Sequence, residues 1–403
     1  MVRSDFVHRH QPTRERQRVN HVTPIYLDYN ATTPIDPRVF EAMRPYFVEH
    51  FGNPSSAHSF GQTTKSAVET ARQQVASLIG AKPSEIILTS GGTEASNHAI
   101  KGVFQSRPRG LFSRLWKRAG HIITSAIEHP ATLKPCEYLQ RFGVDVTIVG
   151  VDRYGQVDVD EVKSAIRSDT RLISIMHSNN EVGTLQPIRE IARIAQYRGL
   201  LMHTDVAQSL GKLPIDVHDL GVDLLTIAGH KLYAPKGIGV LFVRDGVEIE
   251  NLIHGAGHES GRRAGTESVP FIVGLGQACE IARESLPDAT IRLRSLSDRL
   301  WTLLQRGFGE KVVLNGHPED RLPNTLNVNF VGHVGAELLR KVPEIAASTG
   351  SACHDGKVQL SPVLSAMGVP SAMGQGAVRF SVGRFTTEEE IDNAVEILVE
   401  RSK

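Results

Sequence analysis

The sequence predicts an α/β protein with a large domain built on a mainly parallel sheet and a smaller α+β domain. From residue 41 to about 283, helical segments alternate with short runs rich in Ile, Val and Leu, which is typical of a parallel sheet covered by helices on both faces. After Pro287 this alternation stops. A chain of 403 residues is also too long for one ordinary core. We expect the large domain over 37–286 and the small domain over 21–36 together with 287–403.

The elements of the large domain follow from local patterns. A long helix is predicted over 64–80, because Gly80 is a good C-terminal stop and apolar residues recur at helical spacing before it: Ala67, Val68, Ala71, Val75, Leu78 and Ile79. Six apolar runs are predicted as strands: EIILTS, HIITSAI, DVTIVGV, TRLISIMH, LLMHTDV and LLTIAGH. A further apolar run from Ile238 to Val243 follows a short loop containing Pro235 and Gly237.

The small domain is predicted from four segments after residue 287. IRLRSLSDRLWTLLQRGF has a helical pattern, whereas LPNTLNVNFVG and GAVRFSVG are strand-like. The last helix begins near Thr387, which forms a capping box with Glu390 or an equivalent one a residue earlier, and acidic residues fill its first turn.

Composition excludes several classes of protein. A formal net charge of +1 does not indicate a basic surface for binding nucleic acid. No apolar stretch approaches the ~20 residues of a membrane helix. Three cysteines argue against a disulfide framework and for a reducing compartment, so we expect a cytoplasmic protein. The basic residues 1–20 are expected to form a disordered extension, with a mitochondrial transit peptide as the alternative. The basic segment 107–118 is expected to be a surface loop or short helix, or a docking surface for a partner.

Polar residues follow the predicted strands at the points where those strands end. The strand in EIILTS leads into Gly91, Gly92 and Thr93 at a helix start, which is a cradle for an anion such as phosphate. The other strand ends deliver Glu128 and His129, Asn179 and Asn180, Asp205 and Gln208, and His230 and Lys231. Because ligands gather at the carboxyl ends of parallel strands, we expect these side chains to converge.

This set of residues matches what pyridoxal phosphate requires. Its phosphate needs an anion cradle, and its ring nitrogen needs a buried carboxylate such as Asp205 to remain protonated. Its aldehyde needs a lysine amine, which Lys231 supplies. His129 can stack on the ring, and Gln208 or Asn180 can bond the ring oxygen. Each residue taken singly also has an ordinary structural explanation, and no metal site is predicted.

Nine motifs, in order from Tyr26 nearly to the C-terminus, resemble those of the cysteine desulfurases of the class V aminotransferase group, to which the selenocysteine lyases are close. The motifs are YLDYNATTP, SGGTEASN, IEHPATL, MHSNNEVGTLQPI, HTDVAQSLGK, GHKLYAPKGIG, GRRAGTESV, STGSACHDG and VRFSVGRFTTEEEID. The resemblance implies the fold of type I pyridoxal-phosphate enzymes and a homodimer. It also implies removal of sulfur from L-cysteine, which yields L-alanine and a persulfide on the enzyme.

The resemblance implies roles around the cofactor. Lys231 resembles the Schiff-base lysine, Asp205 the partner of the ring nitrogen, and His129 the stacking histidine. Gln208 resembles the contact to the ring oxygen. The phosphate contacts correspond to Gly92, Thr93 and His230, and Thr266 resembles the contact given by the other subunit.

It also implies roles around the substrate. Asn180 and Arg379 resemble the groups that hold the substrate carboxylate, for which a guanidinium is well suited. Asn30 lies where the N-terminal loop borders the substrate. Cys353 resembles the cysteine that receives sulfur, and it lies in a loop of small residues without apolar periodicity. Cys136 and Cys279 are expected to be packed residues of helices.

Three alternatives stay open at this point. Selenocysteine lyase fits the same motifs, transamination uses the same cofactor, and a cofactor-free relative would keep only the fold. Ala228 stands where many relatives have a serine that binds the phosphate. The partner is expected to be a sulfur-accepting protein, for example an iron–sulfur scaffold or a tRNA-thiolation protein.

Overall fold

The computed structural model describes residues 24–106, 120–349, 353–354, 357–358 and 360–402. The N-terminal extension over 1–20 and the basic segment 107–118 therefore lie outside the described residues. The helices are α1 Pro37–Met43, α2 Pro45–Val48, α3 Ser59–Leu78, α4 Gly92–Gln105, α5 Pro130–Gln140, α6 Val159–Ser164, α7 Ile188–Tyr197, α8 Val217–Leu220, α9 Val269–Phe308, α10 Gly335–Lys341, α11 Pro362–Ala366, α12 Ser371–Gly374 and α13 Glu388–Arg401.

The strands form one large sheet and several small ones. They are β1 Ile25–Tyr26, β2 Ile86–Thr89, β3 His121–Ser125, β4 Asp145–Val149, β5 Thr170–Ser174, β6 Leu201–Asp205, β7 Leu224–Ala228, β8 Gly239–Val243, β9 Val312–Asn315, β10 Thr325–Phe330, β11 Ile345–Ala346, β12 Cys353–His354, β13 Lys357–Val358 and β14 Ala377–Ser381.

The large sheet has seven strands in the order β2-β8-β7-β6-β5-β3-β4. Strand β8 is antiparallel to both of its neighbours, and the other pairings are parallel. The carboxyl ends of β2, β7, β6, β5 and β3 therefore lie at one edge. The predicted mainly parallel α/β sheet is confirmed, and the run after Pro235 returns as the single antiparallel strand.

Alternate residues of the strands enter two different cores. Leu225 and Ile173 belong to the larger cluster of buried side chains, whereas their neighbours Leu224 and Leu172 belong to a second cluster on the opposite face. Both faces of the sheet are thus covered, which explains why the strands read as continuous apolar runs rather than as alternating patterns.

Helix α3 begins earlier than the sequence predicts. It starts at Ser59 because His58 caps it through a hydrogen bond of 3.3 Å from the Gly61 amide to the ring Nδ1. The predicted stop is close to the observed one, since the helix ends at Leu78 and Gly80 has a φ of +68°.

Helix α9 is a 40-residue element that runs from the larger cluster into a third cluster of buried side chains. Its first half packs against the larger cluster through residues such as Leu275, and its second half enters a separate cluster through residues such as Leu300. Pro287 lies inside this continuous helix. The predicted boundary between 286 and 287 therefore falls within one helix, at the point where its packing partner changes.

The third cluster, which the second half of α9 enters, is built around the three-stranded antiparallel sheet β14-β10-β9 and helix α13. Leu27 from the N-terminal strand region contributes to it as well. Helix α13 has the predicted capping box, in which the Thr387 side chain accepts from the Glu390 amide at 3.1 Å and the Glu390 carboxylate accepts from the Thr387 amide at 2.9 Å. Over the described ranges, none of the helices has the length and apolarity to cross a membrane.

Candidate active site

A cavity of about 370 Å³ lies at the edge of the large sheet where the parallel strands end. This volume is within the usual range for small-molecule sites. Of the twelve site residues predicted from the sequence, ten line the cavity: Asn30, Gly92, Thr93, His129, Asn180, Asp205, Gln208, His230, Lys231 and Arg379. The fold thus brings together residues that are up to about 350 positions apart in the chain.

The start of α4 forms the anion-binding wall of the cavity. Gly91 precedes the helix with a φ of +153°, a conformation that residues with a Cβ rarely adopt, and Gly92 and Thr93 begin the helix. A Cβ on Gly92 would lie 3.1 Å from the Cβ of Ala228, so a larger residue here would crowd the end of β7. Unpaired N–H groups and the helix dipole make this wall suitable for a phosphate.

Lys231 lies directly after β7, in a single 3-10 turn formed by Gly229–Lys231. The amine donates to the backbone carbonyl of Asn30, and also to that of Ala31 at 2.8 Å. Burial, followed by the positive charge of Arg379, lowers the pKa of Lys231 to about 8. An amine with this pKa is partly neutral at pH 7.5, whereas an ordinary lysine, with a pKa of ~10.4, is almost fully protonated. The position therefore produces a nucleophilic amine near neutral pH.

Asp205 and His129 occupy the interior of the cavity. The Asp205 carboxylate accepts a hydrogen bond of 2.8 Å from the Ala207 amide, and burial raises the pKa of this carboxyl. His129 caps α5, because its Nδ1 accepts from the Ala131 amide at 3.1 Å. In the neutral ring the proton is therefore on Nε2. Burial lowers the pKa of His129, which favours this neutral form.

Asn30 is the centre of a buried hydrogen-bond network beneath the cavity. Its backbone carbonyl accepts from Lys231 and, at 3.0 Å, from the Gln208 amide nitrogen. Its side-chain oxygen accepts from Asn324 at 3.0 Å, and its side-chain nitrogen donates to the Thr325 hydroxyl at 2.8 Å. The structure thus gives Asn30, which the sequence predicts as a border of the substrate, a second part in fixing the site.

Lys212 belongs to the same network and was not singled out from the sequence. It lies in the quoted motif HTDVAQSLGK, and its amine donates to Asn30 Oδ1 at 3.2 Å and to Gln208 Oε1 at 3.3 Å. A buried lysine has no signature in local periodicity. The only signal was its place in a motif that also carries Asp205 and Gln208.

Arg379 and Asn180 form the opposite wall. Arg379 donates to the Asn180 carbonyl at 3.0 Å and pairs with Asp28 at 2.7 Å. Its Nε is buried and has no hydrogen-bond partner among the described residues. Asp28 was not singled out either, although it lies in the quoted motif YLDYNATTP. A guanidinium that lines a cavity is suited to an anionic group such as a carboxylate.

The two remaining predicted residues lie elsewhere. Thr266 is exposed in the segment before α9 and does not line this cavity. The backbone of Cys353 is in β12, which pairs with β13 in an antiparallel hairpin, and its side chain lies outside the described residues. Thr266 as a contact to another subunit and Cys353 as the acceptor of sulfur therefore stay predictions.

The other two cysteines are packed in helices, as the sequence predicts. Cys136 is buried in α5 and Cys279 in α9. Burial raises the pKa of the Cys136 thiol to about 12 and also raises the pKa of Cys279. Since the thiolate is the nucleophilic form, both thiols are poorly suited to react near neutral pH.

Comparisons with known proteins agree with this geometry. The family described as Aminotransferase class-V matches residues 25–394. The cysteine desulfurase IscS of Dictyoglomus turgidum is 46% identical over 376 residues, which cover 93% of each chain. The human cysteine desulfurase is 44% identical over 383 residues, covering 94% of this chain and 82% of the human one.

Solved structures with the same fold include two informative neighbours. A NifS-like protein superposes with a TM-score of 0.85 at 38% identity, covering 94% of this chain and 99% of its own. A protein named SspA, solved in complex with cysteine, gives a TM-score of 0.78 at 38% identity, covering 90% of this chain and 99% of its own.

Proposed function

The chain belongs to the class-V aminotransferase family as a pyridoxal-phosphate-dependent cysteine desulfurase, and we propose that the sulfur of L-cysteine passes to the thiol of Cys353. The observation that carries this proposal is the convergence of an anion cradle, a buried carboxylate, a histidine and a lysine of lowered pKa on one cavity. Each of these groups meets one requirement of the cofactor.

The residues of the cavity fit the cofactor. The start of α4 at Gly92 and Thr93, with His230 nearby, would hold the phosphate. Asp205 would face the ring nitrogen, Gln208 the ring oxygen, and Lys231 would supply the amine. The bound cofactor provides an electron sink next to the substrate α-carbon.

The side chains then have separable tasks in the reaction. Lys231 moves the proton of the substrate α-carbon, since its lowered pKa leaves part of it neutral near pH 7.5. Arg379 and Asn180, which both line the cavity, hold the substrate carboxylate, for which a planar guanidinium is well suited. His129, with its proton on Nε2, lies in the cavity as the group that handles the proton of the substrate thiol.

The atoms and electrons of the sulfur-transfer step balance without an additional oxidant or reductant. The Cys353 thiolate attacks the substrate sulfur, so that an S–S bond forms while the bond between carbon and sulfur breaks. The electron pair of the broken bond remains on the three-carbon fragment, which takes up protons and leaves as L-alanine. The enzyme thiol has become a persulfide, and its outer sulfur can pass to a thiolate of a partner by exchange. A sulfur-accepting protein is therefore the expected partner, such as an iron–sulfur scaffold or a tRNA-thiolation protein.

A homodimer is the proposed assembly, with Thr266 reaching the phosphate of the second subunit. An exposed apolar patch near the start of α9 supports it. Val48 and Phe51 expose 71% and 70% of their surface, and Phe47 packs edge-on against Phe271 of α9 at 6.4 Å between ring centroids. Exposed apolar surface of this kind is typical of an interface between proteins.

The test distinguishes cofactor binding from the role of the Cys353 thiol. Cys353→Ala is expected to keep the visible absorbance of the bound cofactor and to lose sulfide release from L-cysteine, while transfer of radioactive sulfur to the enzyme also disappears. Cys279→Ala, which removes a buried thiol from α9, is the matched control and keeps both properties. Sulfide release by Cys353→Ala at the wild-type rate would refute the role of this thiol.

A further inference from the structure

Lys212 is a buried cation without a carboxylate partner in the part of the chain that the structure describes. The residue exposes 6% of its surface, and its amine contacts two amide oxygens, Asn30 Oδ1 at 3.2 Å and Gln208 Oε1 at 3.3 Å. Burial, together with the positive charges of Lys231 and Arg379, lowers the pKa of Lys212 to about 7. Burying a lysine costs free energy unless it is compensated, so its presence beneath a cavity calls for a functional reason.

The contacts of Lys212 determine which way the amide of Gln208 points. A protonated lysine amine can only donate, and the backbone carbonyl of Asn30 can only accept. Gln208 lies between these two groups, with Oε1 at the amine and Nε2 donating 3.0 Å to the Asn30 carbonyl. The opposite orientation would place N–H against the amine and oxygen against the carbonyl, and both contacts would be repulsive. The second N–H of Gln208 is therefore left for the cavity that Gln208 lines.

The side chain of Asn30 is fixed in the same way. Its Oδ1 accepts from Lys212 and Asn324, and its Nδ2 donates to the Thr325 hydroxyl and, at 3.3 Å, to the Asn180 carbonyl. Lys212 thus holds one amide that presents a donor to the cavity and another whose backbone carbonyl binds Lys231.

We propose that Lys212 is a positioning residue that orients Gln208 so that its amide N–H, rather than its carbonyl, faces the ring oxygen of the cofactor. The inference rests on the proposed function, because it concerns the cofactor that the cavity fits. A donor at the ring oxygen disperses the negative charge of that oxygen and weakens its hold on the neighbouring proton. Losing the donor therefore raises the pH at which the bound cofactor loses this proton.

The readout is the pH midpoint of the visible absorbance change of the bound cofactor, which a purely structural role would not move. Lys212→Met removes the donor at similar side-chain length and is expected to raise this midpoint by about one unit, a tenfold change in the dissociation constant of the proton. Gln208→Leu is expected to raise it by a similar amount, and combining the two substitutions should add nothing. Lys163→Met, an exposed lysine of α6, is the matched control and leaves the midpoint unchanged.

Each result has a definite consequence. The proposal is overturned if Lys212→Met leaves the midpoint unchanged. It is also overturned if Lys212→Met raises the midpoint by the same amount in the Gln208→Leu background as in the wild type, because the effect would then not depend on Gln208. Lys212→Gln provides a second test that does not depend on the folding of the methionine variant, since it is neutral but keeps an N–H donor. Its midpoint is expected to lie closer to wild type than to Gln208→Leu, and the reverse order overturns the proposal. A wild-type protein that acquires no visible absorbance with added pyridoxal phosphate would refute the proposed function itself, which is a distinguishable failure.

Discussion

The buried ion pair between Arg72 of α3 and Glu259 allows a strong test of what holds the segment before α9 in place. Two hydrogen bonds of 2.7 and 2.9 Å join the guanidinium to the carboxylate, and the Leu88 amide of β2 donates to the same carboxylate at 2.8 Å. The Glu259 side chain exposes only 3% of its surface. Both Glu259 and Ser260 have positive φ, at 52° and 56°. The pair therefore holds a strained backbone turn seven residues before Thr266.

Glu259→Gln is expected to lower the free energy of unfolding by about 3 kcal/mol. Removing one partner of a buried ion pair costs ~3–5 kcal/mol, because the other charge is left uncompensated. Glutamine keeps the shape and one acceptor oxygen, so the cost falls at the low end of that range. Its amide nitrogen must nevertheless face an N–H of Arg72 in either orientation, and in one orientation it also faces the Leu88 amide. A loss of about 3 kcal/mol corresponds to an unfolding constant that rises ~150-fold.

The assay combines urea unfolding of the cofactor-loaded protein with hydrogen exchange of the β2 amides. Hydrogen exchange is included because a chain with separate cores need not unfold in one transition. Glu69→Gln is the matched control, because Glu69 contacts the same Arg72 at 3.3 Å but exposes 55% of its side chain. The control is expected to change stability by less than ~0.5 kcal/mol. Equal effects of the two substitutions, or unchanged exchange at Leu88 in Glu259→Gln, would refute the reasoning.

Two further predictions follow from the site and from the last helix. Because burial and Arg379 lower the pKa of Lys231 to about 8, the rate at which cofactor-free protein gains visible absorbance with added pyridoxal phosphate should rise with pH and level off above about pH 8. Arg379→Met should move this midpoint upward, and a rate that climbs to pH 10 in the wild type would contradict the shift. Thr387→Ala should cost about 1 kcal/mol by removing the cap of α13, measured by urea unfolding, whereas Thr387→Ser keeps the hydroxyl and most of the stability. A serine variant as unstable as the alanine variant would show that the cap is not the cause.

The sequence predicts the strands and their polar ends because these depend on local patterns. The run before Lys231, the stop near Gly80 and the capping box at Thr387 each involve residues within a few positions of one another. The continuity of helix α9 is not evident from local patterns, since a proline usually marks a helix boundary. In the structure, its two halves pack against two different cores and the helix continues through Pro287.

The contacts that tune the site could not be predicted in the same way. Lys231 meets the carbonyls of Asn30 and Ala31 across about 200 residues, and Arg379 meets Asp28 across about 350. Nothing in the neighbourhood of these residues in the chain indicates their partners. Lys212 and Asp28 both lie in motifs quoted for the resemblance, but only their positions in the fold reveal that Lys212 binds two site amides and that Asp28 pairs with Arg379.

The balance of charge around the cavity explains why these long-range contacts matter for chemistry. Lys231, Lys212 and Arg379 are three basic groups in one buried region, and the charge of Arg379 lowers the pKa of both lysines. Asp28 compensates Arg379 directly, while Asp205, whose pKa burial raises, compensates less fully. Such a region favours anionic ligands, and a phosphate and a carboxylate are the two anions that the cofactor and the substrate amino acid bring. Burial, together with the same positive potential that attracts them, keeps part of Lys231 neutral, so one arrangement of the site serves both binding and proton transfer.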